Sequence, residues 1–188
     1  MRFVQCFIFA STIFVAACGD DFGPVNWPDE PDTLQIYSAS RPDLLGLPSA
    51  YDAFGFQPVV PIESGARWDF ALAEQDGQFV MLPLSATETG DTLAALATIG
   101  DVPLDEVTEA PERSAFVMTP VPIEVGTVYV LRSRRERCSQ FTSLTGPRYG
   151  KLEAIAVDAE QGTFEFAIVV NPQCNDRALV PPDDDDDD

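Results

Sequence analysis

Residues 67–82 read Arg67-Trp68-Asp69-Phe70-Ala71-Leu72-Ala73-Glu74-Gln75-Asp76-Gly77-Gln78-Phe79-Val80-Met81-Leu82. The first half alternates. Trp68, Phe70 and Leu72 face one way, and Arg67 and Asp69 the other, which is the period of a half-buried strand. Asp76-Gly77 is the strongest short-range signal for a two-residue hairpin turn. A second apolar run, Phe79 to Leu82, follows at once. The stretch therefore predicts a β-hairpin. The rest of the chain repeats its grammar. Residues 33–38 alternate with Leu34 and Ile36 on one face, and strands are expected at 128–133, 152–157 and 163–170. The last two are joined by Asp158-Ala159-Glu160-Gln161-Gly162 and predict a second hairpin. Helix is expected only as a turn or two at 92–98 and 104–109, because the 16 prolines interrupt longer helical runs. The expected fold is all-β: an antiparallel sandwich or partly open barrel with little helix.

The chain opens with one base, Arg2, then an apolar run ending in small residues, which is the pattern of a secretory leader. The run is short for a membrane-spanning helix, which needs about 20 apolar residues. It ends in Val15-Ala16-Ala17-Cys18, which resembles the lipobox of bacterial lipoproteins. That resemblance implies a signal peptide at 1–17, cleavage before Cys18, lipidation of the Cys18 thiol and acylation of the new amino terminus. It places the protein outside the cytoplasm, in the bacterial cell envelope, on the periplasmic or cell-surface side of a membrane. Residues 18–32, rich in acid, proline and glycine, read as a tether. Residues 33–180 form one domain, and 181–188, two prolines and six aspartates, a disordered tail.

The formal net charge is −20, from 31 acids and 11 bases, and without the leader and the six terminal aspartates it is still −15. Such a surface repels nucleic acid and anionic headgroups, so the expected membrane partner is reached through the lipid on Cys18 alone. Two cysteines follow the anchor, Cys138 and Cys174. In an exported domain this pair predicts one disulfide. The segment 171–177 reads as a cap pinned by it.

No histidine occurs anywhere. Serine or cysteine nucleophiles activated by imidazole are therefore excluded, as are HExxH zinc sites. No catalytic, cofactor or metal-binding residue is assigned. A hydrolase needs only two carboxylates about 5–10 Å apart, and Glu63, Asp69 and Glu74 are nominees for it. One cluster runs against the global charge: Arg132, Arg134, Arg135 and Arg137, with Arg148 and Lys151 beyond. Guanidinium forks suit carboxylate and phosphate, so the cluster reads either as a patch for an anionic ligand, glycan or partner, or as arginines paired with the domain's own acids.

The series Trp68-Asp69-Phe70-Ala71-Leu72, Val128-Tyr129-Val130-Leu131-Arg132, Tyr149-Gly150-Lys151-Leu152 and Thr163-Phe164-Glu165-Phe166 resembles HmuY-like β-rich lipoproteins. The resemblance implies capture of haem or another small molecule. Histidine ligation has no residue to use here, and Met81 and Met118 are the remaining candidates for iron. Together these features predict a membrane-anchored, non-catalytic domain that binds a ligand or envelope protein. Haem or small-molecule capture and a small carboxylate-dependent hydrolase are the alternatives.

Overall fold

The computed structural model describes residues 26–28, 30–61, 67–87, 94–139 and 143–182. The leader, Cys18, Glu63 and the aspartates at 183–188 lie outside them. The described chain forms β1 (Asp32–Tyr37), β2 (Ala50–Asp52), β3 (Gln57–Val59), β4 (Phe70–Gln75), β5 (Gln78–Pro83), β6 (Ala95–Gly100), β7 (Val121–Pro122), β8 (Val128–Arg132), β9 (Glu136–Arg137), β10 (Thr145–Gly146), β11 (Tyr149–Asp158) and β12 (Thr163–Val170). One sheet has the order β1-β12-β11-β8-β6 and the other β3-β2-β4-β5-β7, with β9-β10 a separate small hairpin. Every pairing is antiparallel. The two sheets make a sandwich, not a closed barrel.

The expected hairpin is β4-β5, paired from Phe70↔Pro83 to Gln75↔Gln78. Asp76 and Gly77 both have positive φ, 52° and 78°, as a type I′ turn requires. The second hairpin is β11-β12. Its turn is held by Asp158, whose Oδ1 accepts from the Glu160 and Gln161 N–H groups. Ile155 stands out of register in a bulge between Ala154 and Ala156.

The inward faces meet in one core that includes Ile36, Tyr51, Phe70, Leu72, Met81, Leu131, Leu152, Phe164 and Phe166. Aromatic contacts bridge the sheets. Phe166 of the first sheet lies 6.0 Å from Tyr51 and 5.7 Å from Phe70 of the second, both edge-on. Such pairs add about 0.5–1.5 kcal/mol beyond area burial.

Two expectations are corrected. Residues 92–98 are not helical where described: Ala94 precedes β6, and Ala95, Leu96 and Ala97 are buried in it. Leu96 exchanges backbone hydrogen bonds with Val117 on the side away from β8. Burial between two neighbours overrides alanine's helical preference. Trp68 does not share a face with Phe70 and Leu72. It packs outside the sheet with Ala50, Ala71, Leu84 and Ala94, because the β4 ladder starts only at Phe70. Of the two predicted helical segments, 104–109 keeps one short turn, a 3-10 turn at Leu104–Glu106. Trp27, inside the expected tether, is buried.

Cys138 and Cys174 form the disulfide, with 5.6 Å between their Cα atoms. It ties the segment after β9 to the segment after β12. Asn175, at φ 62°, donates its N–H to Pro147 O beside it. A cross-link spanning 36 residues is worth about 4 kcal/mol in the chain-entropy picture. Replacing both cysteines by serine is expected to lower the unfolding free energy by that order, read by urea denaturation. The wild-type chain should resist alkylation until reduced, and alkylation of both thiols without reductant would contradict the bond.

Candidate functional site: a buried arginine at one end of the sandwich

Residues at the C-terminal end of β8 and the N-terminal end of β4 converge on Arg134. Its side chain is 6% exposed. The guanidinium meets three carboxylates: Nη1 donates to Asp69 Oδ2 at 2.9 Å, Nη2 to Asp52 Oδ1 at 2.9 Å, and Nε to Glu136 Oε1 at 2.7 Å. Asp69 is wholly buried. Its remaining acceptor capacity goes to backbone: Arg134 N–H donates to Oδ1 at 2.7 Å and Ala53 N–H to Oδ2 at 2.8 Å. Asp52 also caps the β2-β3 turn, with its Oδ1 accepting from Phe54 N–H at 2.9 Å. The cluster thus joins β2 and β4 of one sheet to the end of β8 in the other.

Burial pushes the Asp69 carboxyl up to about 6, against the pull of the Arg134 charge and the two backbone donors. Burial also works against the charged form of Arg134, but Asp69, Asp52 and Glu136 outweigh it and hold the guanidinium above its ordinary value. At neutral pH Asp69 and Arg134 are therefore ionised and paired.

Arg148 lies beside it. Its guanidinium sits 4.6 Å from the Phe54 ring centroid and 4.8 Å from that of Phe56, and Nη1 donates to Phe54 O at 3.2 Å. Burial lowers its pKa, opposed by Asp52 and Glu136. Phe56 holds φ at 53°, a costly conformation for a bulky residue, so the turn is shaped by its contacts rather than by local preference.

The four arginines of the sequence cluster go to separate places. Arg134 is the centre of the buried network. Arg132 is buried on the outer face of the first sheet, 5.2 Å from the Phe116 centroid. Lys151, the chain's one lysine, is buried on that face too and donates from Nζ to Val107 O at 3.0 Å. Arg135 and Arg137 stay at the surface on and beside β9, and Arg135 reaches Thr145 O at 3.3 Å. The reading in which arginines meet the domain's own acids describes Arg134.

Of the nominated carboxylates, the two described ones are not brought together. Asp69 and Glu74 stand five residues apart along one strand direction, roughly 17 Å, and Glu63 is outside the described residues. A groove of about 500 Å³ lies next to the cluster, lined by Pro48, Asp52, Gln57, Pro58, Val59, Val60 and Arg67. Among the described residues of that lining Asp52 is the one carboxylate, and its Oδ1 accepts from Arg134. Met81 is wholly buried in the core, and Met118 is half exposed on the stretch leading to β7. Among the described residues, no three potential metal ligands gather. Sequence reasoning missed Asp52, Phe54 and Glu136: one acid among 31 carries no mark, and β2 is three residues long, too short to show a period.

Arg134→Met keeps a long side chain and removes the charge. At neutral pH it strands buried carboxylates, and the expected loss is about 3–5 kcal/mol. Without Arg134 the Asp69 carboxyl rises beyond about 6 in the folded state, while the unfolded chain is unchanged. The gap between wild type and variant should therefore widen as pH rises through about 6, and narrow below it, where Asp69 is protonated in both folded proteins. Urea unfolding at pH 5 and pH 8 reads this. A gap that is larger at pH 5 would contradict an ionised Asp69–Arg134 pair.

Compared with protein-family models, curated proteins and solved structures, the chain matches none.

Proposed function

We propose that this protein is an exported lipoprotein whose sandwich domain is a non-catalytic binding or interaction module, held at a membrane of the bacterial cell envelope by lipid on Cys18. The observation that carries the reading is the tetrapeptide Val15-Ala16-Ala17-Cys18 after an apolar leader with one base. Two features support it. A disulfide between Cys138 and Cys174 suits an oxidising compartment. The buried carboxylates Asp52 and Asp69, which a hydrolase would need free, are both bound to Arg134. Stable attachment by lipid takes more than one acyl chain, as the lipobox resemblance implies for the thiol and the new amino terminus.

Cys18→Ser is the test. The wild-type protein should pellet with membranes and carry the mass of its acyl chains, and the variant should appear in the soluble fraction. A variant that still pellets overturns the lipid anchor. Titration with haemin separates this reading from haem capture, and an unchanged free-haemin spectrum is expected.

A further inference from the structure

A β-sandwich has four sheet edges, and each presents unpaired backbone groups that can recruit another strand. Three of the four are blunted here. The β6 edge is covered by Val117, which exchanges two hydrogen bonds with Leu96, at 3.1 Å and 2.8 Å. The β7 edge is two residues long and ends in Pro122. The β3 edge has Pro58 at the centre of its three residues. Proline at an edge removes the donor that an incoming strand would use.

β1 is different. It runs for six residues, Asp-Thr-Leu-Gln-Ile-Tyr, with no proline, lysine or bulge. Tyr37 donates its N–H to Pro48 O at 2.9 Å, away from β12, whereas the next residue, Ser38, donates to Gly162 O on the β12 side. In an antiparallel ladder the inward and outward pairs alternate. The N–H and C=O groups of Thr33 and Gln35 therefore point outward with Tyr37. Among the described residues they meet no backbone partner. Both residues are exposed.

The side chains around this edge define what would add to it. Leu34 packs against the core from the margin and is only partly buried. Glu165 stands opposite Gln35 in the ladder, and Asp32 lies at the start of the strand. β1 contributes no base. A second copy of the chain would bring the same acids and a further −20 of charge.

We propose that β1 is a docking edge for strand addition, and that its occupant is an extended segment of another protein that alternates apolar and basic side chains. Apolar residues would cover Leu34 on the inner face, and basic ones would stand on the outer face beside Gln35, with Glu165 one strand further in. Main-chain bonds to Thr33 and Gln35 supply affinity, and the alternation supplies selectivity. This names a partner class for the binding module proposed above and rests on that reading. Its test reads the edge alone. Failure here leaves the Cys18 result untouched, and failure of the anchor leaves this edge intact.

The probe is an end-capped eight-residue peptide alternating valine and lysine, added to the purified chain. Binding should slow amide hydrogen exchange at Thr33 and Gln35 and be at least tenfold tighter than for the valine–glutamate counterpart. Gln35→Pro removes an outward donor without touching a β12 bond, so it should fold and abolish binding. Glu165→Lys, which reverses the charge on the outer face behind Gln35, should weaken binding of the lysine peptide and help that of the glutamate peptide. Absence of protection at β1, equal affinity for both peptides, or binding that survives Gln35→Pro each overturns the proposal. So does a dimer of the chain that is lost in Gln35→Pro, since the occupant would then be a second copy.

Discussion

The buried charge on Arg134 constrains one whole end of the sandwich. A guanidinium removed from water must find partners, and here Nε, Nη1 and Nη2 find them in Glu136, Asp69 and Asp52 on three different strands or turns. Loss of any one carboxylate leaves a guanidinium donor unpaired, and the cation cannot leave without stranding the buried Asp69. Replacing such a network wholesale with apolar side chains is often neutral or stabilising, so net stability is a poor account of why it exists. Geometry is a better one. The network makes the β2-β3 turn, the entry to β4 and the exit from β8 share one arrangement. Asp69 is also the point at which the chain leaves strand alternation: its carboxylate goes to Arg134, and Trp68 is delivered to the outer face.

The opposite end is closed mainly through backbone groups, with the surface residue Arg41 paired to Asp43 and donating to Glu160 O in the β11-β12 turn. Ser38 N–H donates to Gly162 O within the first sheet, Ala39 N–H reaches Leu72 O of the second, and Glu74 N–H donates to the Ser40 hydroxyl. These are ordinary backbone and hydroxyl bonds worth about 1 kcal/mol each. The two ends thus differ in kind. One is held by backbone bonds and an exposed ion pair, and the other by buried ionised side chains.

How much was legible in the sequence follows from length and periodicity. The long strands declare themselves. Asp76-Gly77 and the run from Thr163 to Val170 place two hairpins with the correct ends to within a few residues. β2, β3, β7, β9 and β10 are two or three residues each, shorter than one alternation, and they form because neighbours hold them. β6 is invisible for another reason: Ala94-Ala95-Leu96-Ala97 has helical composition, and only its burial against β8 and Val117 makes it a strand. The arginine cluster stood out by density, but its meaning depended on Asp52, Asp69 and Glu136, which lie 82, 65 and 2 residues from Arg134. No local pattern encodes such separations.

Edge protection and charge bear on each other. A chain with −20 of charge disperses itself, and that repulsion works against edge-to-edge pairing between identical molecules without any proline on β1. It gives no protection against a basic strand, which the same field attracts. Unguarded by any described residue, the edge is thus selective by sign: closed to its own kind by net charge, open to a cationic segment. On the anchored reading its position adds to this. Nine peptide links separate Cys18 from the buried Trp27, a reach of at most roughly 30 Å, and β1 is the first strand after them. A partner strand would therefore meet the protein within a few tens of ångströms of the same membrane, where tethering confines the search to a surface layer and raises the effective concentration of even a weakly matching segment.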